Sequence, residues 1–157
     1  MPSWPPSCYQ RATALVTDPA HRLLVFDHVG EPKAGTQVPA GGIKSGEVHE
    51  AAVLRELAEE SGITTARIVR KLGEVWRTAK PGHVPPGLEE QVHHAFHLHL
   101  DEAPGTEEWE WDECSDGDVA LHRFALRWVD LDEAALALFP IQALWMAPLR
   151  DSLEHLH

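Results

Sequence analysis

The chain has 157 residues, 43 % hydrophobic and 24 % charged, which suits one soluble domain expected to span 1–157, and no apolar run reaches the length of a membrane span. Lysine and arginine number 13 against 25 aspartates and glutamates, a formal charge of −12 that argues against a nucleic-acid polymer as the main partner. Two cysteines, Cys8 and Cys114, are too few for a disulfide framework, and residues 1–10 hold no apolar leader, so a cytoplasmic setting is expected.

In chain order, Ala12 to Thr17 and Arg22 to His28 are β-prone runs separated by the turn residues Asp18 to His21, which predicts a hairpin. A loop with Gly30, Pro32 and Gly35 leads to a short strand at Gln37-Val38, then to Pro39-Ala40-Gly41-Gly42. Glu47 to Ser61 reads as a helix, closed by Gly62 in the position that favours a left-handed cap. Ala66 to Ala79 is expected as a strand, or a bent pair around Gly73, and Gln91 to Leu100 as another. The acidic stretch Asp101 to Asp118 is expected as a long functional loop. Val119 to Val129 is a last strand, Glu133 to Leu138 a helical turn, and Ile141 to His155 a terminal helix. Strands interspersed with helices indicate an α/β layered domain.

The chemistry concentrates in Gly41 to Ile63. At about 100° per residue and with Val48 at zero, Glu59, Glu56 and Glu60 fall at roughly 20°, 80° and 120°. Val53, Leu57, Leu54, Ala58 and Ala51 fall at roughly 140° to 300° and are expected to face the core, opposite the acids. Like charges three and four residues apart weaken a helix by tenths of a kcal/mol per pair, so a counter-ion is called for. A hard divalent cation such as Mg²⁺ fits carboxylate oxygens and leaves room for water and phosphate. Read alone, three glutamates suit a solvated helix face better than a metal site.

The whole segment settles the balance. Gly41, Glu47, Arg55, Glu56, Leu57, Glu59, Glu60, Gly62 and Ile63 occupy, without a gap, the positions of the Nudix box, and the segment resembles that family. A chance match in a chain this long is on the order of one in ten million from average residue usage. The resemblance implies an α/β/α sandwich with a mixed β-sheet between helices. It implies an enzyme that hydrolyses a diphosphate bond in a nucleoside triphosphate, or in a nucleoside diphosphate linked to another moiety. A homodimer is common in the family. Carried over by position, Glu56, Glu59 and Glu60 are the metal ligands, with the Gly41 carbonyl as an extra ligand and Mg²⁺, or Mn²⁺, as the ion. Arg55 orients a box carboxylate, Glu47 or Glu59, through paired hydrogen bonds. Glu59 or Glu56 is the first expectation for the base that takes the proton from water. Glu107, Glu108, Glu110 and Glu113 in the acidic stretch, and Glu89 and Glu90, are its rivals.

Substrate contacts are expected at Arg77, Trp109, Trp111 and Glu110. Tryptophan faces suit a nucleobase, although local packing of a long loop is favoured over stacking for Trp109 and Trp111. Trp76 is a third stacking candidate, and Lys33, Lys44 and Lys80 are weaker phosphate candidates. His93, His97 and His99 share one strand face, but zinc ligands usually converge from separate elements, so a sheet face partly turned to the substrate is expected instead. No secondary signature for reduced dinucleotides, coenzyme A, sugar nucleotides or dinucleoside polyphosphates is found. The alternatives are a non-catalytic nucleotide-sensing module, which need not keep every box glutamate, and an isomerase, for which extra acid-base residues are not found.

Overall fold

The computed structural model describes residues 8–114 and 122–156. The elements, in order, are β1 (Tyr9–Thr17), β2 (Leu23–His28), β3 (Ala40–Gly42), α1 (His49–Ser61), β4 (Arg67–Thr78), β5 (Glu90–His99), β6 (Glu108–Asp112), β7 (Arg123–Val129), α2 (Leu131–Ala137), α3 (Pro140–Ala143) and α4 (Met146–Glu154). One sheet runs β4-β5-β1-β2-β7-β6, with β3 attached to β1. β1 and β5 are parallel while the other pairs are antiparallel, so the sheet is mixed.

Alternation along the central strands feeds a separate core on each face. Ala12, Ala14 and Val16 of β1 join Phe96 and Leu98 of β5 and Phe124 and Leu126 of β7, and α1 covers them with Ala52, Val53 and Leu57. The other face presents Leu15, Val25, Ala95 and Val129, covered by Ala134, Trp145, Met146, Leu149 and Leu153. The expected α/β/α sandwich with a mixed sheet is therefore the architecture found. No helix among the described residues is long and apolar enough to cross a membrane.

Three expectations from the sequence are corrected. The acidic stretch is not loop throughout: Glu108–Asp112 is the edge strand β6, paired with β7. Charged residues on every second position suit an edge, because they deter pairing with another chain. Of the two readings of 66–79, the single strand is the one found, as β4, with register irregularities before Arg70 and after Lys71. The expected strand at Gln37-Val38 is replaced by isolated bridges at Thr36 and Gln37, and the strand proper begins at Ala40. The terminal helix is two helices. Pro148 has no N–H for the carbonyl four residues back and its ring crowds that turn, so α3 ends and α4 restarts with Pro148 in its first turn, where proline is tolerated. Of the strand expected over 119–129, the part before residue 122 lies outside the described residues.

Candidate active site

Helix α1 is not oriented as its wheel suggests. Its buried residues are Ala52, Val53, Glu56, Leu57, Glu60 and Ser61, whereas Leu54 is 39 % exposed and Ala51 is exposed. The buried arc is centred near 130°, roughly 90° from the apolar stripe. Hydrophobicity alone therefore misplaces the face. Glu56 and Glu60, 7 % and 4 % exposed, point inward at β1 and β3 instead of away from the core.

Each carboxylate has a specific seat. The Glu56 carboxylate rests against the backbone of Gly41, where a side chain on residue 41 would occupy the same space. Its Oε1 accepts from Nη1 of Arg55 at 2.8 Å. Oε1 of Glu60 accepts from the Ala40 amide at 2.9 Å. Glu59 meets the same Arg55 Nη1 only at 3.2 and 3.3 Å. Arg55 also forks onto Glu47, Nε and Nη2 each donating at 2.8 Å, and Nη2 donates to the Gly42 carbonyl at 2.8 Å. Arg55 thereby joins the helix to the loop before it. Glu47 lies outside the helix expected to include it: α1 starts at His49, and Glu47 sits in a turn where it accepts from the Lys44 amide at 3.0 Å.

The charges match these seats. The Arg55 fork holds the Glu47 carboxyl down to about 2. Burial pushes Glu56 up, and burial with the neighbouring Glu56 charge pushes Glu60 well above the usual carboxylate range. Two desolvated acids, each with one oxygen held and the other available, form a hard-oxygen donor set that a divalent cation fits. The close approach at Gly41 leaves room for nothing larger than hydrogen on that residue.

A cleft of about 770 Å³ opens at Arg11, and none of the box glutamates is among its lining residues. Arg11, Arg77, Gln91 and His93 line its sheet side, Trp76 and His83 its rim, and Phe139 with Gln142 its helical side. Arg11 stands between cleft and acids: its charge acts on Glu56, Glu60 and His93, and its buried Nε has no hydrogen-bond partner among the described residues. Desolvation, with Arg11 and Arg77 nearby, holds His93 neutral, its pKa pushed down to about 4. Gln142 fixes the helical wall by accepting from the Val38 amide at 2.9 Å. The sequence reading passed over Arg11, Gln37, Gln91 and Gln142. The available signal was a run of polar side chains, Arg11 and Gln91 among them, in strands whose alternate residues are apolar.

The remaining sequence candidates scatter. Arg77 is in the cleft. Trp109 and Trp111 sit on β6 against the end of α1, where their indoles donate to the Ser61 and Glu59 carbonyls at 3.0 Å each. Trp111 also fills the space above Gly62, the left-handed cap at φ 80°. Glu110 pairs with Arg123, Glu107 with Arg22, and Glu90 with Trp76 and Thr78. Glu89 accepts from the Gly87 amide, and Lys33, Lys44 and Lys80 are exposed and outside the cleft lining. Among the downstream glutamates, Glu113 is the one whose charge acts on Glu60, and the Cys114 amide beside it donates to the Glu59 carbonyl at 3.1 Å. The strand histidines are held by other side chains: His97 by Thr17 and Ser152, His99 by Thr17, His94 by Gln10.

Comparison with known proteins agrees with this fold. The family model described as NUDIX domain matches residues 9–149. No curated protein matches the sequence. The fold is similar to that of the Escherichia coli dihydroneopterin triphosphate pyrophosphohydrolase, with a TM-score of 0.66, 16 % identity, and 92 % of this chain and 95 % of that one covered. It is also similar to a Caenorhabditis elegans Ap4A hydrolase, with a TM-score of 0.63, 15 % identity and 94 % and 99 % covered. A third similar structure is the NUDIX domain of Shewanella oneidensis NrtR complexed with ADP ribose, with a TM-score of 0.64, 16 % identity and 98 % and 90 % covered.

Proposed function

The chain belongs to the NUDIX family; from that premise we propose that it is a pyrophosphohydrolase that uses Mg²⁺, or Mn²⁺, to hydrolyse a phosphoanhydride in a nucleoside triphosphate or a nucleoside diphosphate derivative. The observation that carries this reading is the Glu56 carboxylate lodged on Gly41, beside Glu59 and Glu60, within reach of the charge of Arg11, which also lines a cleft. Glu56, Glu59, Glu60 and the Gly41 carbonyl would hold the cation. When bound, it polarises phosphoryl oxygens and lowers the pKa of water.

The chain's own residues do the rest. Arg55 keeps Glu56 and Glu47 in place, so the ligand oxygens need not reorganise during reaction. Glu59 has the weakest hydrogen bonds of the three acids and is assigned the proton of the attacking water. That water attacks one phosphorus, the anhydride P–O bond breaks, and the electron pair leaves with the departing phosphate. Glu113 is the second candidate for the base, because it approaches the same cluster from the β6–β7 side. Arg11 and Arg77 would hold phosphates, while Trp76, His83 and Phe139 offer ring faces to a base. The similar proteins named for dihydroneopterin triphosphate, Ap4A and ADP ribose support a heterocycle joined to a phosphoanhydride as the substrate class.

The test is a panel of nucleoside triphosphates, sugar nucleotides and dinucleotides with Mg²⁺, products being resolved by chromatography, with Glu59→Gln and Glu60→Gln in parallel. Cation-dependent cleavage lost in both variants is expected. Nucleotide binding without cleavage by the wild type would sink the catalytic reading and favour a sensor.

A further inference from the structure

Away from α1, the chain assembles a second group of ligating side chains. At the end of β2, a turn closed by the Glu31 amide donating to the His28 carbonyl at 3.1 Å brings Glu31 back beside His28. Gly30, at φ 79°, makes that turn possible. The β2–β7 ladder ends with His28 opposite Phe124, and the Val29 amide still reaches the Arg123 carbonyl at 2.9 Å. His122, just before β7, is thereby carried to the same corner. One ligand atom from each of His28, Glu31 and His122 lies within 4.8 Å of the others.

We propose that His28, Glu31 and His122 form a second metal site, separate from the box glutamates, that takes one borderline transition ion of the Zn²⁺ type. Three further observations support it. Nδ1 of His28 is buried and has no hydrogen-bond partner among the described residues, an arrangement that costs free energy unless a ligand or ion supplies one. Both imidazoles are already oriented, His28 edge-on to Phe124 at 4.9 Å and His122 stacked on the same ring at 6.2 Å. The donor chemistry differs from that of α1: two imidazoles and one carboxylate select Zn²⁺ or its neighbours over Mg²⁺. A tetrahedral zinc holds its ligand atoms roughly 3.4 Å apart, so side-chain rotation about the turn suffices to close the group. Three protein ligands leave a fourth position for water or a substrate oxygen.

The ion would act as a staple. It joins the turn after β2 to the start of β7, on the side where Glu113 donates its amide to the His122 carbonyl at 3.0 Å. The neighbouring Cys114 amide holds the Glu59 carbonyl, so the staple would steady the segment that leans on the metal-binding end of α1.

Zn²⁺ would be titrated calorimetrically into the whole protein with millimolar Mg²⁺ present, and the imidazole nitrogens of His28 and His122 followed by NMR. The expected result is one equivalent bound, with both rings shifting. Affinity should fall by about tenfold or more in His28→Gln and in His122→Gln, and stay unchanged in Glu59→Gln/Glu60→Gln. His122 is exposed, so its variant isolates ligation from folding. Zn²⁺ should also raise Tm in the wild type and not in His122→Gln. Failure of the wild type to bind Zn²⁺ under excess Mg²⁺ would overturn the site. So would affinity unchanged in both histidine variants, or binding lost only with the box glutamates.

Discussion

Gly41 and Arg55 do more for the site than their sizes suggest. Gly41→Ala places a methyl on the Glu56 carboxylate, which must then leave its seat. A ligand displaced by about an ångström costs on the order of a hundredfold in rate, so kcat should fall by about that factor and half-maximal Mg²⁺ should rise. Arg55→Lys keeps the charge but not the planar fork on Glu47, Glu56 and Gly42. The expected outcome is about 1–3 kcal/mol lost in urea unfolding, because buried acceptors lose their donors, with a weaker Mg²⁺ dependence of Tm. The buried histidines set the acid limit. Burial, then the charges of His99, Arg70, Arg67 and His21, pushes His97 down to about 4, while the unfolded chain keeps an ordinary value near 6.5. Between these values the unfolded state binds more protons, so the stability that neutral His97 provides is complete above about pH 6.5 and is lost as pH falls towards 4. His97→Gln should lower stability at pH 7.5, yet flatten the fall of the urea midpoint over that interval. An equally steep fall in the variant would remove His97 from the account.

At the scale of elements, β6 is the partner that finishes α1. Its two indoles cap the last carbonyls of the helix, which hold Glu59 and Ser61 in register. Trp109→Phe and Trp111→Phe should each cost about 1 kcal/mol of stability while leaving KM within about twofold. A large rise in KM for base-containing substrates alone would return these residues to substrate stacking. This element shows what the sequence concealed. Glu108-Trp109-Glu110-Trp111-Asp112 alternates as a strand should, but its acids resemble a solvated loop until the edge position explains them. The end of α1 was legible because Gly62 marks a left-handed cap by chemistry alone. The inward turn of Glu56 and Glu60 was not, since a helical wheel assumes that carboxylates seek water, and here the Ala40 amide, Arg55 and the bare backbone of Gly41 take them instead. Spacing singled out the candidate residues on α1. Arg11, His93 and Gln142 needed the sheet and α3 to bring them together.

Taken as a whole, the molecule carries a charge of −12 yet is read as binding an anion. The cleft reconciles the two by placing Arg11 and Arg77 on one wall. Arg77→Gln is expected to raise KM about tenfold with kcat nearly unchanged, and to weaken the salt dependence of kcat/KM, because a cationic contact is removed where the surrounding field repels substrate. An unchanged KM would place the phosphates elsewhere. The parallel pairing of β1 with β5 has a separate consequence. Tyr9 to Thr17 align with Gln91 to His99, partners some eighty residues apart, and α1 covers its core face with Phe96 and Leu98 of that second strand. Long-range pairing of this kind slows folding, because the loop must close before its contacts stabilise anything. During synthesis, α1 therefore leaves the ribosome well before the strand it packs on, and its glutamates reach their seats only after β5 has been made.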